Sequence, residues 1–338
     1  MKKILFIQTA FLGDAILTLP LIQKLKEANS DSEITVLCIP STKDVFLNSP
    51  SVANVIVYDK RGADKSYLSY LKLIMKVRSQ EFDLVISSHR SIRSTVMAFL
   101  SGAGETVGFT TADLFFLYKK RIEYRKDRHE VERNLSLVSE EAELTSWKIL
   151  PEIQIPEEAK GKIEALVAPI LGSGIIAVAP GSVWKTKVYP SRYYEELIKM
   201  ILSLGYNVAL IGGKEDTELC ETIAKNVDRQ IVSLAGKLSI VESVSFLKKC
   251  VAVVCNDSAP THLAMAADIP ALTIYCSTIA GFGFYPYNKT SAYISFDDLE
   301  CKPCGIHGYQ TCPVKTFDCA FKLKPEIVFE KLRQILPA

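Results

Sequence analysis

No uninterrupted apolar run in this 338-residue chain approaches the roughly 18 residues of a membrane-spanning helix. The expectation is a soluble protein. The formal net charge is only +2, which makes no case for a nucleic-acid binder, although it leaves room for local basic patches. No G-x-x-x-x-G-K-[ST] spacing occurs. The stretch IGGKEDTE at 211–218 has two glycines and a lysine but not the spacing of a phosphate loop, so a Walker motif is excluded. No short-period repeat is visible, which excludes a solenoid. The nine cysteines are an odd number for a disulfide framework. Five of them (Cys38, Cys220, Cys250, Cys255, Cys276) fall in apolar strand-like or helix-like surroundings, where a thiol is a small hydrophobe, and a reducing cytoplasm fits them best.

What is present points to two packed domains. A hydrophobic content of 48% over this length can bury two cores of ordinary size. Strand-like runs at Lys3–Gln8, Glu33–Cys38, Asn54–Tyr58, Asp83–Ser87 and Thr106–Phe109 alternate with helical patterns such as Ser66–Ser79. The stretch PEIQIPEEAK from Pro151 reads as a linker. The alternation then restarts with strands at Gly174–Ala179, Tyr206–Ile211, Gln230–Ser233, Val251–Cys255 and Ala271–Tyr275, separated by helices such as Ser191–Leu204 and Ile240–Lys249. The fold class expected is α/β, with two doubly wound Rossmann-like domains (1–155 and 156–338) facing across a cleft. The last helix is free to pack on either.

The opening MKKILFIQTAFLGDAILTLPLIQKLKE carries one residue out of keeping with its surroundings, Asp14. Lysines followed by apolar residues have the outline of a secretory signal. An acidic residue at the centre of such a segment costs about 2.5–3.5 kcal/mol on insertion, and no small-x-small cleavage site follows. The competing reading is a buried strand that turns at Gly13 into a helix with Ile16, Leu17, Leu21 and Leu25 at helical spacing. Asp14 then lies at a helix N-terminus on the carboxyl edge of a parallel sheet, where such sheets bind ligands.

The second half opens the same way. A strand runs into Pro180-Gly181-Ser182, followed by Lys185, Lys187 and a helix begun by Pro190-Ser191. A glycine that admits close approach, a hydroxyl and a lysine suit a phosphate, and a plain strand-to-helix connection with solvated lysines fits equally. At the glycine turn after the next strand, Glu215 or Asp216 is placed to accept hydrogen bonds from ribose hydroxyls. In VAVVCNDSAPTHLAMAADIPALTIYCST a strand ends in Asn256-Asp257-Ser258 and a small-residue helix follows. Asp257 or Ser258 can cap that helix, and its N–H groups would hold a diphosphate without a metal, with His262 nearby.

These residues together resemble a family. An N-terminal "GD" followed six residues later by Pro, a "PGS…K…YP" turn, "LAGKLSI" and "NDSAPTHLAMA" are similar in kind and order to the ADP-heptose:lipopolysaccharide heptosyltransferases, from Ile4 to about Ile335. The resemblance implies a GT-B fold with the acceptor on the N-terminal domain and the sugar nucleotide on the C-terminal one. It also implies inverting transfer of a heptose from ADP-heptose to the lipopolysaccharide inner core. Motif for motif, Asp14 takes the place of the catalytic base; Lys187, Ser182 and the Ser258 and Ala259 amides would stabilise the leaving ADP, and Gly13 would keep the turn open. Ala259 stands where the family usually has glycine, which bears on donor fit. No cofactor is implied. The helix dipole favours ionised Asp14 and desolvation opposes it, and the sequence does not say which prevails.

Arg61, Arg90 and Arg93 follow predicted strands and are the candidates to meet the anionic groups of the acceptor. The basic run YKKRIEYRKDRHEVER reads either as a solvated face or, given a lipid acceptor, as an attachment to the inner face of the cytoplasmic membrane. A cytoplasmic, peripherally attached monomer is the expectation. Cys301, Cys304, Cys312 and Cys319 are spaced C-x2-C-x7-C-x6-C, which reads as a zinc site or, in preference, as a packed loop of reduced thiols. Two rival functions stand beside transfer to lipopolysaccharide. One is the same chemistry with another nucleotide sugar or cell-surface glycan; the other is a nucleotide-sugar epimerase or a non-catalytic carbohydrate-binding relative.

Overall fold

The computed structural model describes residues 2–170, 172–228 and 231–337, without the side chains at 141–143 and 169. The chain divides into two compact units, Met1–Gln154 and Ile155–Ala338. In the first, strands β1 (Lys3–Gln8), β2 (Glu33–Cys38), β3 (Asn54–Val57), β4 (Leu84–Ser87), β5 (Glu105–Phe109) and β6 (Lys120–Ile122) form one sheet in the order β3-β2-β1-β4-β5-β6. Every pairing is parallel, with Leu5 opposite both Thr35 and Val85. Helices α1 (Leu12–Ala28), α2 (Lys43–Leu47), α3 (Tyr67–Arg78), α4 (Ile92–Leu100) and α5 (Glu130–Leu135) connect and cover the strands.

A central parallel strand is covered on both faces, so it reads as a continuous apolar run, and Ile4, Leu5, Phe6 and Ile7 are fully buried. One face of the sheet packs Tyr70, Leu73, Ile74 and Val77 of α3 with Met97 and Ala98 of α4. On α1 the residues from Ala15 to Gln23 are all buried, which explains why that helix is apolar around its whole circumference and holds Pro20 in its interior. Serine starts two of the helices: Ser66 Oγ accepts from the Ser69 N–H at 3.1 Å and Ser91 Oγ from the Ser94 N–H at 3.4 Å.

The second unit repeats the plan. Strands β7 (Ile175–Ala179), β8 (Asn207–Leu210), β9 (Val232–Ser233), β10 (Ala252–Asn256), β11 (Ala271–Tyr275) and β12 (Ala292–Ser295) pair in parallel in the order β12-β11-β10-β7-β8-β9. Its helices are α6 (Glu157–Val167), α7 (Ser191–Ser203), α8 (Thr217–Val227), α9 (Ile240–Leu247), α10 (Ala259–Ala267), α11 (Asp318–Phe321) and α12 (Pro325–Arg333). The "LSI" of the sequence begins α9 with a reciprocal cap: the Glu242 N–H donates to Ser239 Oγ and the Ser239 N–H to Glu242 Oε2. Helix α12, which the sequence left free to return to the first domain, buries Val328 and Leu332 in the core of the second unit.

In each sheet the order of strands therefore switches sides once, between β1 and β4 and between β7 and β10, and the loops leaving those strands carry the polar residues singled out above. Three expectations need correction. The linker expected at PEIQIPEEAK ends at Pro156, since Glu157–Lys160 already belong to α6. The basic run is not a uniformly solvated face, because Lys120–Ile122 pairs with β5 and Arg133 is buried. The strand expected at Gln230–Ser233 is seen at Val232–Ser233, and Gln230 lies outside the described residues.

Candidate active site

Asp14 is the third residue of α1, one position further into the helix than a first turn opened by Gly13 would put it. Phe11 takes the N-cap position without a side-chain hydrogen bond, and Gly13 and Asp14 are both half-buried. Burial removes solvent from the Asp14 carboxyl, and the Glu130 carboxylate adds repulsion. Nearby backbone N–H groups and Arg90 act in the opposite direction. The balance pushes Asp14 up to about 7, so desolvation prevails over the helix terminus.

Around that carboxyl α5 and the β6–α5 loop build a connected group. Tyr124 Oη donates to Glu130 Oε2 at 2.7 Å, and Arg133 Nη1 donates to the same oxygen at 2.9 Å and to Tyr124 Oη at 3.1 Å. Arg90 lies 4.2 Å above the Tyr124 ring, a cation–π contact. Glu130 is thereby held by two hydrogen bonds, with α5 packed against α1. Sequence reasoning missed Tyr124, Glu130 and Arg133, whose relevance comes only from this packing.

The three arginines proposed for the acceptor lie on the carboxyl edge of the first sheet, in different settings. Arg61 is exposed, Arg93 donates to Tyr58 Oη at 2.9 Å, and Arg90 belongs to the group beside Asp14. Two further cationic or polar residues join them. Lys60 Nζ donates to the Thr9 carbonyl at 2.8 Å. His89 Nδ1 meets Thr9 Oγ1 at 2.8 Å and Ser94 Oγ at 2.9 Å, and burial with Lys60 and Arg90 nearby pushes its pKa down to about 4, leaving a neutral ring at neutral pH. The "SSHRS" run was the available signal for His89.

In the second unit the loops after β7, β8 and β10 converge. Lys187 Nζ lies 2.6 Å from Asp257 Oδ2, both side chains nearly buried, and Thr278 Oγ1 donates to the same oxygen at 2.7 Å. Asn256 ties the loops together: its Nδ2 donates to the carbonyls of Pro180 and Gly181, and its Oδ1 accepts from the Tyr189 N–H and Tyr194 Oη. Ser182 is half-buried just beyond.

The expected side-chain cap on α10 is not made. Ser258 Oγ turns back to the Asn256 carbonyl at 3.3 Å, and Asp257 is engaged with Lys187 and Thr278, so Ala259 opens the helix without a side chain on its N–H groups. His262 is buried, its Nδ1 has no hydrogen-bond partner among the described residues, and burial pushes its pKa down to about 4. An unprotonated imidazole and an uncapped helix N-terminus thus lie beside an ion pair, an arrangement able to receive an anion. At the β8 turn, Asp216 Oδ2 accepts from the Gly213 N–H at 2.9 Å, and its carboxyl packs where a Cβ on Gly181 or Gly212 would have to be. Asp216 is committed to its own loop. Glu215 is exposed, with its carboxylate over Gly213.

With two Rossmann-like units and these loops in view, likeness to known proteins can be read. The model of glycosyltransferase family 9 (heptosyltransferase) matches residues 70–311. The chain belongs to glycosyltransferase family 9. Among its relatives is lipooligosaccharide heptosyltransferase 2 of Haemophilus influenzae, 26% identical over 82% of this chain and 84% of that one. Two solved structures share the fold over nearly their whole length. A family 9 glycosyl transferase from Veillonella parvula aligns with TM-score 0.87 at 21% identity, covering 99% of this chain and 97% of that one. The E. coli ADP-heptose lps heptosyltransferase II aligns with TM-score 0.81 at 21% identity, covering 99% and 98%. This family 9 glycosyltransferase therefore has the GT-B class of fold.

In the same family 9 chain the four C-terminal cysteines, Cys301, Cys304, Cys312 and Cys319, line one small cavity with Thr186, Ser277 and Asp318. All nine cysteines are free thiols, and burial pushes Cys319 up to about 11. Among the described residues no group of three or more His, Cys, Asp or Glu is arranged to hold a metal ion. The loop they belong to is fastened to the Lys185–Lys187 turn, since Thr186 Oγ1 donates to the Tyr309 carbonyl and accepts from the Tyr309 N–H and Ser277 Oγ.

Proposed function

We propose that this family 9 enzyme is an inverting glycosyltransferase that moves a heptose from ADP-heptose to the inner core of lipopolysaccharide. The observation that carries the reading is Asp14, a single carboxylate held at the start of α1 with its pKa pushed up to about 7, where it can both be ionised and accept a proton near neutral pH. Inverting displacement at an anomeric carbon needs one such base, on the attacking hydroxyl, and groups that receive the charge of the departing diphosphate. The heptose, the ADP and the lipopolysaccharide acceptor rest on likeness to the heptosyltransferase relatives and on the sequence motifs.

The residues divide the work as follows. Asp14 takes the proton of the acceptor hydroxyl as the C–O bond forms. Arg61, Arg90 and Arg93, with Lys60 and the neutral ring of His89, hold anionic groups of the acceptor. Lys187 exchanges Asp257 for the donor diphosphate, and the Ser258 and Ala259 amides, Ser182 and His262 complete the anion's surroundings. Glu215 reaches the ribose. These roles need no cofactor, and attachment to the inner face of the cytoplasmic membrane follows from a lipid acceptor. The test is a donor and acceptor screen: release of ADP, UDP or GDP from the corresponding sugars with a defined lipopolysaccharide acceptor, with anomeric configuration read by NMR. Release of ADP with inversion supports the reading; UDP or GDP as the sole product, or retention, rejects it.

A further inference from the structure

The first unit exposes apolar side chains on three neighbouring elements. On α4, Ile92 and Phe99 lie two turns apart on the outward face, 54% and 53% exposed, while half-buried Val96 between them packs against the core. The turn Phe115–Leu117 packs against α4 and leaves Phe116 58% exposed, with the Phe115 ring in edge contact beside it. On α3, which adjoins α4, Leu68 and Met75 lie two turns apart on the outward face, 71% and 61% exposed. Scattered surface hydrophobes need no explanation; a run of them across adjacent elements marks a surface that something else covers.

The charge carried by these three elements themselves has one sign. From Lys65 to Gln80, from Leu84 to Leu100 and from Leu114 to Ile122 the chain has no acidic residue. Lys72 and Lys76 stand on the exposed face of α3 between and beside Leu68 and Met75, and make no ion pair among the described residues. By contrast three residues of the basic run after Tyr118 are tied to the protein's own groups: Lys119 Nζ donates to the Ala103 and Gly104 carbonyls, Arg121 to the Phe116 and Tyr118 carbonyls, and buried Arg133 to the Glu130 carboxylate. The stripe on α4 begins at Ile92, between Arg90 and Arg93 of the proposed acceptor site.

We propose that the outward faces of α3 and α4 and the Phe115–Leu117 turn form a docking surface for an anionic phospholipid bilayer. Apolar side chains enter the acyl boundary while lysines stay at the headgroups, which is the combination that binds an anionic membrane surface. The inference deepens the proposed function, whose lipid acceptor it would present to the arginines next to the stripe, and in that respect rests on it.

The experiment uses the full chain in co-sedimentation with vesicles of phosphatidylcholine, with and without phosphatidylglycerol. Wild type should bind the anionic vesicles in a salt-sensitive way. Phe99→Ser with Phe116→Ser, and separately Lys72→Glu with Lys76→Glu, should each weaken binding by about tenfold or more, with unchanged circular dichroism melts. Transfer to a deacylated, water-soluble acceptor should be unaffected. Equal binding by wild type and variants, or equal binding to neutral vesicles, overturns the proposal. So does a wild-type dimer that the phenylalanine variant converts to monomer without change in vesicle binding. Vesicle binding with no transfer to any lipopolysaccharide acceptor would leave the docking surface standing and reject the proposed function instead.

Discussion

Lys187 Nζ and Asp257 Oδ2 lie 2.6 Å apart, nearly buried, and Thr278 Oγ1 donates to the same carboxylate oxygen at 2.7 Å. Under the proposed function, Asp257 holds this lysine until the donor diphosphate displaces it, with Thr278 keeping the carboxylate in place. An unpaired buried ammonium would be costly, and the pairing removes that cost from the ligand-free protein.

Replacing Lys187 by alanine should lower donor affinity and slow transfer by about 10²-fold, because the contact grows as negative charge develops on the leaving group. Donor titration and turnover on one preparation check it. Unchanged affinity and rate would remove Lys187 from the phosphate site.

Transfer should persist in EDTA. The positive charge that a divalent ion would supply to the leaving diphosphate is assigned to Lys187 and to the uncapped N-terminus of α10. Activity abolished by the chelator and restored by magnesium or manganese would contradict that assignment.

Glu130→Gln keeps an acceptor for Tyr124 and removes the negative charge beside Asp14. The acid limb of the rate should then shift to lower pH, by up to about one unit. The variant also loses charge against buried Arg133, so a lower melting temperature is expected alongside. A lower melting temperature with an unmoved limb would make Glu130 a structural residue only.

The sequence was most legible where burial dictates it. Central strands such as β1 and β11 announce themselves as apolar runs because both faces are covered, and their bounds agree with expectation. The edge strands β6 and β12 did not, because KRI and AYIS are short, partly exposed and lack any apolar run; β6 lies inside a stretch that reads as charge. The site divides along the same line. Asp14, Lys187 and Asp257 are conspicuous because a charged residue follows a buried strand. Thr278, Asn256 and Glu130 are not, since their importance arises from partners 21, 75 and 6 residues away in the chain. The capping role expected for Ser258 failed for a local reason: its hydroxyl finds the Asn256 carbonyl first.

Asp14 also links activity to stability in a direction that can be checked. Its pKa in the folded protein is above the unfolded value, so between about pH 4 and 7 the folded state holds the extra proton and stability falls as pH rises through that window. Asp14→Asn does not ionise, and should melt at or above wild type at pH 8, with less dependence on pH.

The most direct measurement is the pH–rate profile of wild type against Asp14→Asn, with melting temperature and donor affinity taken on the same preparations. Wild-type turnover should rise with pH through a limb centred at about 7, as the carboxyl ionises and becomes able to take the acceptor's proton. The amide variant should stay folded, bind donor normally, turn over about 10²- to 10⁴-fold more slowly and show no such limb. Near wild-type turnover by Asp14→Asn with an unchanged profile would contradict Asp14 as the base.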